Sequence, residues 1–408
     1  MSRWKEVNPS LRTIMTPGPV EVDPRVLRVM ATPVLGQFDP EFTDMMNRVM
    51  EMLREMFCTR NQWAYPIDGT SRSGLEAVLC SLIEPGDKVL VPIYGRFGHL
   101  LTEIAQRSGA EVHTMEVPWG EVFDEEEIIR EMDRVRPKIV AIVHGETSTG
   151  CMQPLTRIGQ ACREREMLLV VDAVATLGGT PVDTDGWMLD AVIGGTQKCL
   201  SVPAGMAPIT YNERAERIIQ ARKSVERGLA GNLSEPSERR IRSNYFDLGM
   251  LQDYWSPKRL NHHTEATSML YALHEGLRII LYEGLAERFE RHRVNERALV
   301  AGLQAMGLSL FGNPDCKLSV VTCVNIPEGI NGDAVRELLL QQFGIEIASS
   351  FGPLHGKIWR IGTMGFSCRK KNVLHVLAGL EAVLIRVGAK VHRGEALQAA
   401  LDVYEIPS

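Results

Sequence analysis

From about residue 62 to 212, short apolar runs alternate with amphipathic stretches. Residues 88–92 (KVLVP), 138–144 (KIVAIVH) and 168–175 (LLVVDAVA) read as buried strands, with shorter ones at 191–194 and 207–211. Between them, residues 96–108 and 155–166 carry apolar side chains at helical spacing. Strands apolar on both faces and separated by helices predict a mainly parallel sheet covered on both sides. Residues 213–260 break this pattern: they are rich in Arg, Glu, Ser and Asn, with little periodicity beyond the first helical turns. Such a stretch suits a linker, a lid or part of a subunit contact. Two long helical patterns follow from 265 to about 306, broken at Glu283-Gly284. Strand-like runs at 318–326 and 358–362, with helical patterns at 332–343 and 371–387, predict a separate α+β lobe. The expected organisation is an N-terminal arm over 1–20, a large α/β domain over 21–275 and a small C-terminal domain over 276–408. No internal repeat or low-complexity tract interrupts it.

Composition changes this picture little. With 408 residues, 44% of them hydrophobic, the chain has ample material for a core. A formal net charge of -6 and the lack of a basic stretch argue against a nucleic-acid partner. The first ten residues are polar and charged, unlike a signal peptide, and no apolar run approaches the roughly 20 residues that span a bilayer. A cytoplasmic protein without a membrane partner is expected. The eight cysteines, at 58, 80, 151, 162, 199, 316, 323 and 368, form no C-x-x-C pair. A structural zinc site or a thioredoxin-like motif therefore has no support, and most of them read as reduced, buried small hydrophobes. The sequon Asn232-Leu-Ser234 has no consequence in a cytoplasmic chain.

Two segments carry chemistry. An apolar strand ending in Asp172 puts a carboxylate at the C-terminal edge of the sheet, where α/β proteins bind ligands. A second short strand then delivers Lys198 from Gly194-Gly195-Thr196-Gln197. A lysine that forms an imine and a carboxylate that keeps a pyridine nitrogen protonated together suit pyridoxal 5′-phosphate. Singly, Asp172 reads more readily as a helix cap and Lys198 as a solvated side chain; as a pair they favour a site. Upstream, Asp68-Gly-Thr-Ser-Arg-Ser-Gly74 precedes an apolar helix expected over 75–83. Small and hydroxyl residues at a helix start offer free N–H groups to an anion, though they are also common caps. The segment matches neither the dinucleotide nor the P-loop glycine pattern, which weakens a nicotinamide-dehydrogenase reading.

His144-Gly-Glu-Thr-Ser-Thr-Gly150, Val171-Asp-Ala-Val-Ala-Thr-Leu-Gly-Gly179, Gly195-Thr-Gln-Lys198 and His262-His-Thr264 resemble the class V, fold-type I aminotransferases. The alanine–glyoxylate and serine–pyruvate group is the nearest broad match. The likeness runs from Thr16-Pro-Gly-Pro19 to Arg360-Ile-Gly362. It implies a large domain with a seven-stranded, mainly parallel sheet, and a homodimer with active sites at the subunit interface. It further implies that Lys198 is the Schiff-base lysine and proton carrier, and that Asp172 pairs with the pyridine nitrogen. Val174 and Phe97 would cover the two ring faces, and Thr147 would lie near the phenolic oxygen. Thr70, Ser71, Arg72 and Gln197 would surround the phosphate, with Thr264 coming from the neighbouring subunit.

Arg360 sits inside an apolar strand-like run, where a lone guanidinium is costly unless paired or functional. It matches the family's substrate-carboxylate arginine. His262 and His263 hint at a metal, but adjacent residues on one strand point apart, so both read as structural and no metal is expected. Two departures bear on the amino donor. The alanine–glyoxylate group usually has Tyr-His-His-Thr where this chain has Asn261-His-His-Thr264, and Gln37 lies by the expected substrate entrance. Two carboxamides exceed the needs of alanine's methyl group and suit a ureido group. The combination resembles the ureidoglycine–glyoxylate branch, in which Gln37 and Asn261 would read the ureido end of the small-molecule donor and glyoxylate would be the acceptor. Alanine–glyoxylate or serine–pyruvate activity is the alternative. A cysteine desulfurase or lyase of the same fold is more distant, since Ser367-Cys368-Arg369 resembles no desulfurase loop.

Overall fold

Seven strands build the large sheet: β1 (Trp63–Gly69), β2 (Lys88–Ile93), β3 (Glu111–Glu116), β4 (Ile139–Val143), β5 (Leu168–Asp172), β6 (Ala191–Ile193) and β7 (Gly205–Tyr211). Their order is β1-β7-β6-β5-β4-β2-β3, with β7 antiparallel to both neighbours and the remaining pairs parallel. The computed structural model describes residues 4–226 and 239–405. The sequon at Asn232 and the middle of the 213–260 stretch lie outside the described residues. Strands β4, β5 and β6 are buried along their whole length, which is why each is a continuous apolar run in the sequence.

The two edge strands were not legible. β3 is half-exposed and carries Glu111, His113 and Glu116. β1 contains Pro66, which faces Pro208 of β7 across the pair. An edge position tolerates a residue with no N–H to donate. The 168–175 run ends as a strand at Asp172, because residues 173–177 turn, with the Leu177 N–H donating to the Ala173 carbonyl at 2.9 Å. The helix expected over 75–83 begins earlier, as Ser71–Leu82 with Thr70 at its N-cap. The Ser71–Gly74 segment is therefore the helix's first turn, not a loop before it. Within 213–260, Glu213–Ala221 and Leu248–Trp255 are helical, the second burying Leu248, Leu251 and Trp255.

A second, three-stranded antiparallel sheet has β8 (Val321–Asn325), β9 (Ala348–Ser349) and β10 (Ile358–Gly362) in the order β8-β10-β9. It shares an apolar cluster with helices Leu285–Ala305, Gly332–Phe343 and Lys370–Arg386 through Leu303, Leu339, Trp359 and Leu377. The expected boundary at 275/276 falls inside helix Thr267–Glu283. That helix's Leu273, Leu277 and Ile280 all join the large-sheet core, and the change of core comes at Ala298 and Leu299 of the next helix. Met15, in the expected arm, belongs to the second cluster. Among the described residues, no helix is long and apolar enough to cross a membrane.

Candidate active site

The parallel strands deliver their C-terminal ends to one place. A cavity of about 220 Å³ is lined there by Val143 from the end of β4, Asp172 from the end of β5, and Gln197 and Lys198 from the loop after β6. Thr70, Ser71 and Arg72, at the start of the helix after β1, line a further part of it. Thr70 makes no side-chain cap hydrogen bond; the Ser73 N–H donates to the Thr70 carbonyl at 2.7 Å, while the Ser71 and Arg72 N–H groups precede any intrahelical acceptor. Gln197 Nε2 donates to Ser71 Oγ at 2.9 Å, tying the two segments together. Gly195 is needed at this junction: a Cβ there would lie 2.3 Å from Ser71 Oγ and 2.8 Å from Val174 Cγ1. Phe97, Thr147 and Val174 lie along the wall, so that of the expected cofactor set only Thr264 is absent from this cavity. An open helix N-terminus, two apolar side chains, a carboxylate and a lysine in one cavity fit pyridoxal 5′-phosphate.

The charges inside are tuned by burial. Lys198 is brought down to about 8 by desolvation, with Arg360 adding to the effect and Asp172 opposing it. Its Nζ donates to the Pro17 carbonyl, and Gly18 lies so close that a Cβ there would be 2.4 Å from Lys198 Cδ. Asp172 is pushed up to about 6 by desolvation, against a 2.9 Å hydrogen bond from the Val174 N–H. A cation beside it, such as a protonated ring nitrogen, favours its ionised form. The lowered lysine makes a testable expectation: cofactor capture by apoenzyme should slow as pH falls through about 8. Below that value the neutral, nucleophilic fraction of Lys198 falls about tenfold per pH unit. Stopped-flow absorbance across pH 6 to 10 checks this, and a flat profile would remove the argument.

Two features escaped the sequence reading. Glu146, fully buried, accepts hydrogen bonds from the Ser148 N–H at 2.9 Å, the Ser148 hydroxyl at 2.6 Å and the Phe97 N–H at 2.8 Å. Its carboxylate thus holds the N-terminus of helix Arg96–Arg107, and with it Phe97. The signal was a charged residue inside an otherwise uncharged motif. Pro17 and Gly18, which lie against Lys198, carried none beyond the resemblance.

Arg360 does not line the cavity but sits behind Thr147. It lies on the central strand β10, whose neighbouring residues Trp359 and Ile361 face the second core. Its Nε donates to the Ser349 carbonyl at 2.8 Å and its Nη1 to the Thr147 carbonyl at 3.0 Å. The Phe351 ring lies 4.6 Å from the guanidinium carbon. Among the described residues Nη2 has no partner, so one edge of the fork is left for a ligand.

Gln37 and Asn261 meet: Gln37 Nε2 donates to Asn261 Oδ1 at 3.0 Å. Neither residue lines the cavity of its own chain, and nor does the exposed Thr264. The two histidines depart from expectation. Their segment is not a strand, and their Nδ1 atoms lie 2.9 Å apart. A larger open groove, of about 870 Å³, lies at the other end of β1 over Trp63, Asn212 and Arg214. It is far from the lysine–carboxylate pair and gathers no comparable chemistry.

The sequence profile of the aminotransferase class-V family matches residues 31–358. The chain is 69% identical to (S)-ureidoglycine–glyoxylate transaminase of Bacillus subtilis over 408 residues, covering 99% of this chain and 98% of that one. The crystal structure of ureidoglycine–glyoxylate aminotransferase from Bacillus subtilis superposes with a TM-score of 0.94 at 67% identity, covering 98% of this chain and 100% of the other. Alanine–glyoxylate aminotransferase of Drosophila melanogaster is 35% identical over 378 residues, 91% of this chain and 92% of that one.

Proposed function

The chain belongs to the class V aminotransferases, which depend on pyridoxal 5′-phosphate, and from that premise we propose that it moves the amino group of (S)-ureidoglycine to glyoxylate, giving oxalurate and glycine. The 69% identity with the Bacillus subtilis transaminase over nearly the whole chain carries the reading. Within the chain, the paired carboxamides of Gln37 and Asn261 support the choice of donor. A ureido group has both N–H donors and a carbonyl acceptor, and two carboxamides answer both.

When bound, pyridoxal phosphate supplies a carbonyl to take up the amine and a protonated ring to draw electrons from the substrate carbon. Thr70, Ser71, Arg72 and Gln197 hold its phosphate, joined by Thr264 of the partner subunit. Asp172 holds the proton on the ring nitrogen, Val174 and Phe97 cover the ring, and Thr147 meets its phenolic oxygen. Lys198, whose burial brings its amine down to about 8 and so raises its neutral fraction, would take the proton from the substrate Cα and return it on the same face. Arg360 pairs with the substrate carboxylate, so the Cα is presented to Lys198 in one orientation. A homodimer follows from this reading, since Thr264, exposed and away from its own chain's cavity, would act in another chain. A desulfurase reading gains nothing from Cys368, which is fully buried and whose thiol burial pushes up to about 12.

A half-reaction tests the proposal. Freshly generated ureidoglycine, alanine and serine are mixed with the yellow holoenzyme, and loss of the cofactor's absorbance is followed. Ureidoglycine is expected to react fastest. Gln37→Ala and Asn261→Tyr are each expected to cut that preference by about 10- to 100-fold, the worth of one or two lost hydrogen bonds to the substrate. If alanine or serine reacts fastest and the substitutions change little, the chain is a general glyoxylate aminotransferase and the carboxamide argument fails.

A further inference from the structure

Away from the cavity, three side chains converge with more acceptors than donors. Asp68, His263 and Glu265 each place one ligand atom within 4.8 Å of the others. His263 Nε2 lies 3.2 Å from Asp68 Oδ2 and 3.8 Å from Glu265 Oε2. Glu265 is 4% exposed, and neither of its carboxylate oxygens meets a hydrogen-bond donor among the described residues; Asp68 Oδ1 is also unpartnered. Tyr254, whose hydroxyl is likewise unpartnered, also faces Glu265.

The neighbouring contacts tie His263 to the adjacent histidine. His262 Nε2 lies 3.3 Å from the Asn244 carbonyl, which only accepts, so this nitrogen donates. His262 Nδ1 and His263 Nδ1 lie 2.9 Å apart, so a proton is shared along that contact. His263 Nε2, at the other side of the ring, faces both carboxylates. Two carboxylates and an imidazole nitrogen gathered at one buried point, with three carboxylate oxygens unpartnered among the described residues, form a donor set suited to a cation.

We propose that Asp68, His263 and Glu265 bind a divalent transition-metal ion. Donors about 2.1 Å from a shared ion, at near-tetrahedral angles, lie roughly 3.4 Å apart, and the separations of 3.2 and 3.8 Å bracket that value. Two carboxylates with one imidazole suit zinc or manganese better than calcium or magnesium, which prefer oxygen alone. The ion would also join two segments. Thr264 lies between two of the ligands, and Asp68 stands two residues before Thr70. Only this consequence for phosphate binding rests on the function proposed above; the ion itself rests on the cluster.

The test uses untagged holoenzyme, treated with a chelator and then titrated with Zn²⁺ alone or Mn²⁺ alone. Calorimetry and metal analysis after gel filtration read the binding without any turnover, so a failure here leaves the transaminase reading untouched. One ion per chain and a rise in Tm are expected with at least one of the metals. Glu265→Gln should weaken uptake by about 100-fold or more while keeping the yellow absorbance of the bound cofactor; Asp68→Asn serves if that variant does not fold. No uptake of either metal by the wild type overturns the proposal, as does undiminished uptake by a folded variant. Either result would mean that protons, not a metal, hold the cluster together.

Discussion

Lys198→Ala is expected to lower the rate of the amino-donor half-reaction by about 10⁴-fold or more, since the nucleophile and the proton carrier are lost together. Among the described residues no other amine lines the cavity, and the guanidinium of Arg72 cannot stand in for one. The variant should still bind the cofactor through the helix N-terminus and Gln197, but with the absorbance of the free aldehyde. A small exogenous amine should restore part of the rate, because the vacated side chain leaves room beside Gly18. Single-turnover absorbance measures both effects. Retention of more than about 1% of the rate, or no rescue by any amine, would argue that Lys198 does not carry the proton.

Arg360→Ala is expected to reduce kcat/KM by about 10²- to 10³-fold, chiefly through KM, as a buried charge pair with the substrate carboxylate is lost. Arg360→Lys should recover little, because the two carbonyls of Ser349 and Thr147 and the ligand call on a planar fork, not a point charge. The substitution also leaves those carbonyls unpaired, so some loss of stability accompanies it. A donor amine lacking a carboxylate separates the two effects. If Arg360 acts by pairing, such an amine reacts equally with both proteins; if Arg360 merely supports the fold, its rate falls too.

Much of the site was legible in the residues. The apolar run ending in Asp172 and the small-residue loop carrying Lys198 are local signals, and the structure brings both to one sheet edge. Burial on both faces writes β4 and β5 into the sequence as unbroken apolar runs. Edge strands bear no such mark: β1 with its Pro66 and β3 with its charged residues are recognisable only by their partners. The start of helix Ser71–Leu82 was placed late for a related reason, since serine, arginine and glycine carry no periodic apolar signal in a first turn.

By itself, then, the sequence determined the fold class, the lysine–carboxylate pair and the cofactor chemistry, because each depends on short stretches whose pattern reflects their own burial. Tertiary structure alone decided which distant groups meet. It set the Glu146 carboxylate under the Phe97 N–H, the Thr147 carbonyl on Arg360, and Gln37 against Asn261. It also turned two adjacent histidines toward each other and gathered Asp68, His263 and Glu265. These contacts join residues far apart in the chain, and their energies come from desolvation and hydrogen bonding that exist only once the intervening elements have packed.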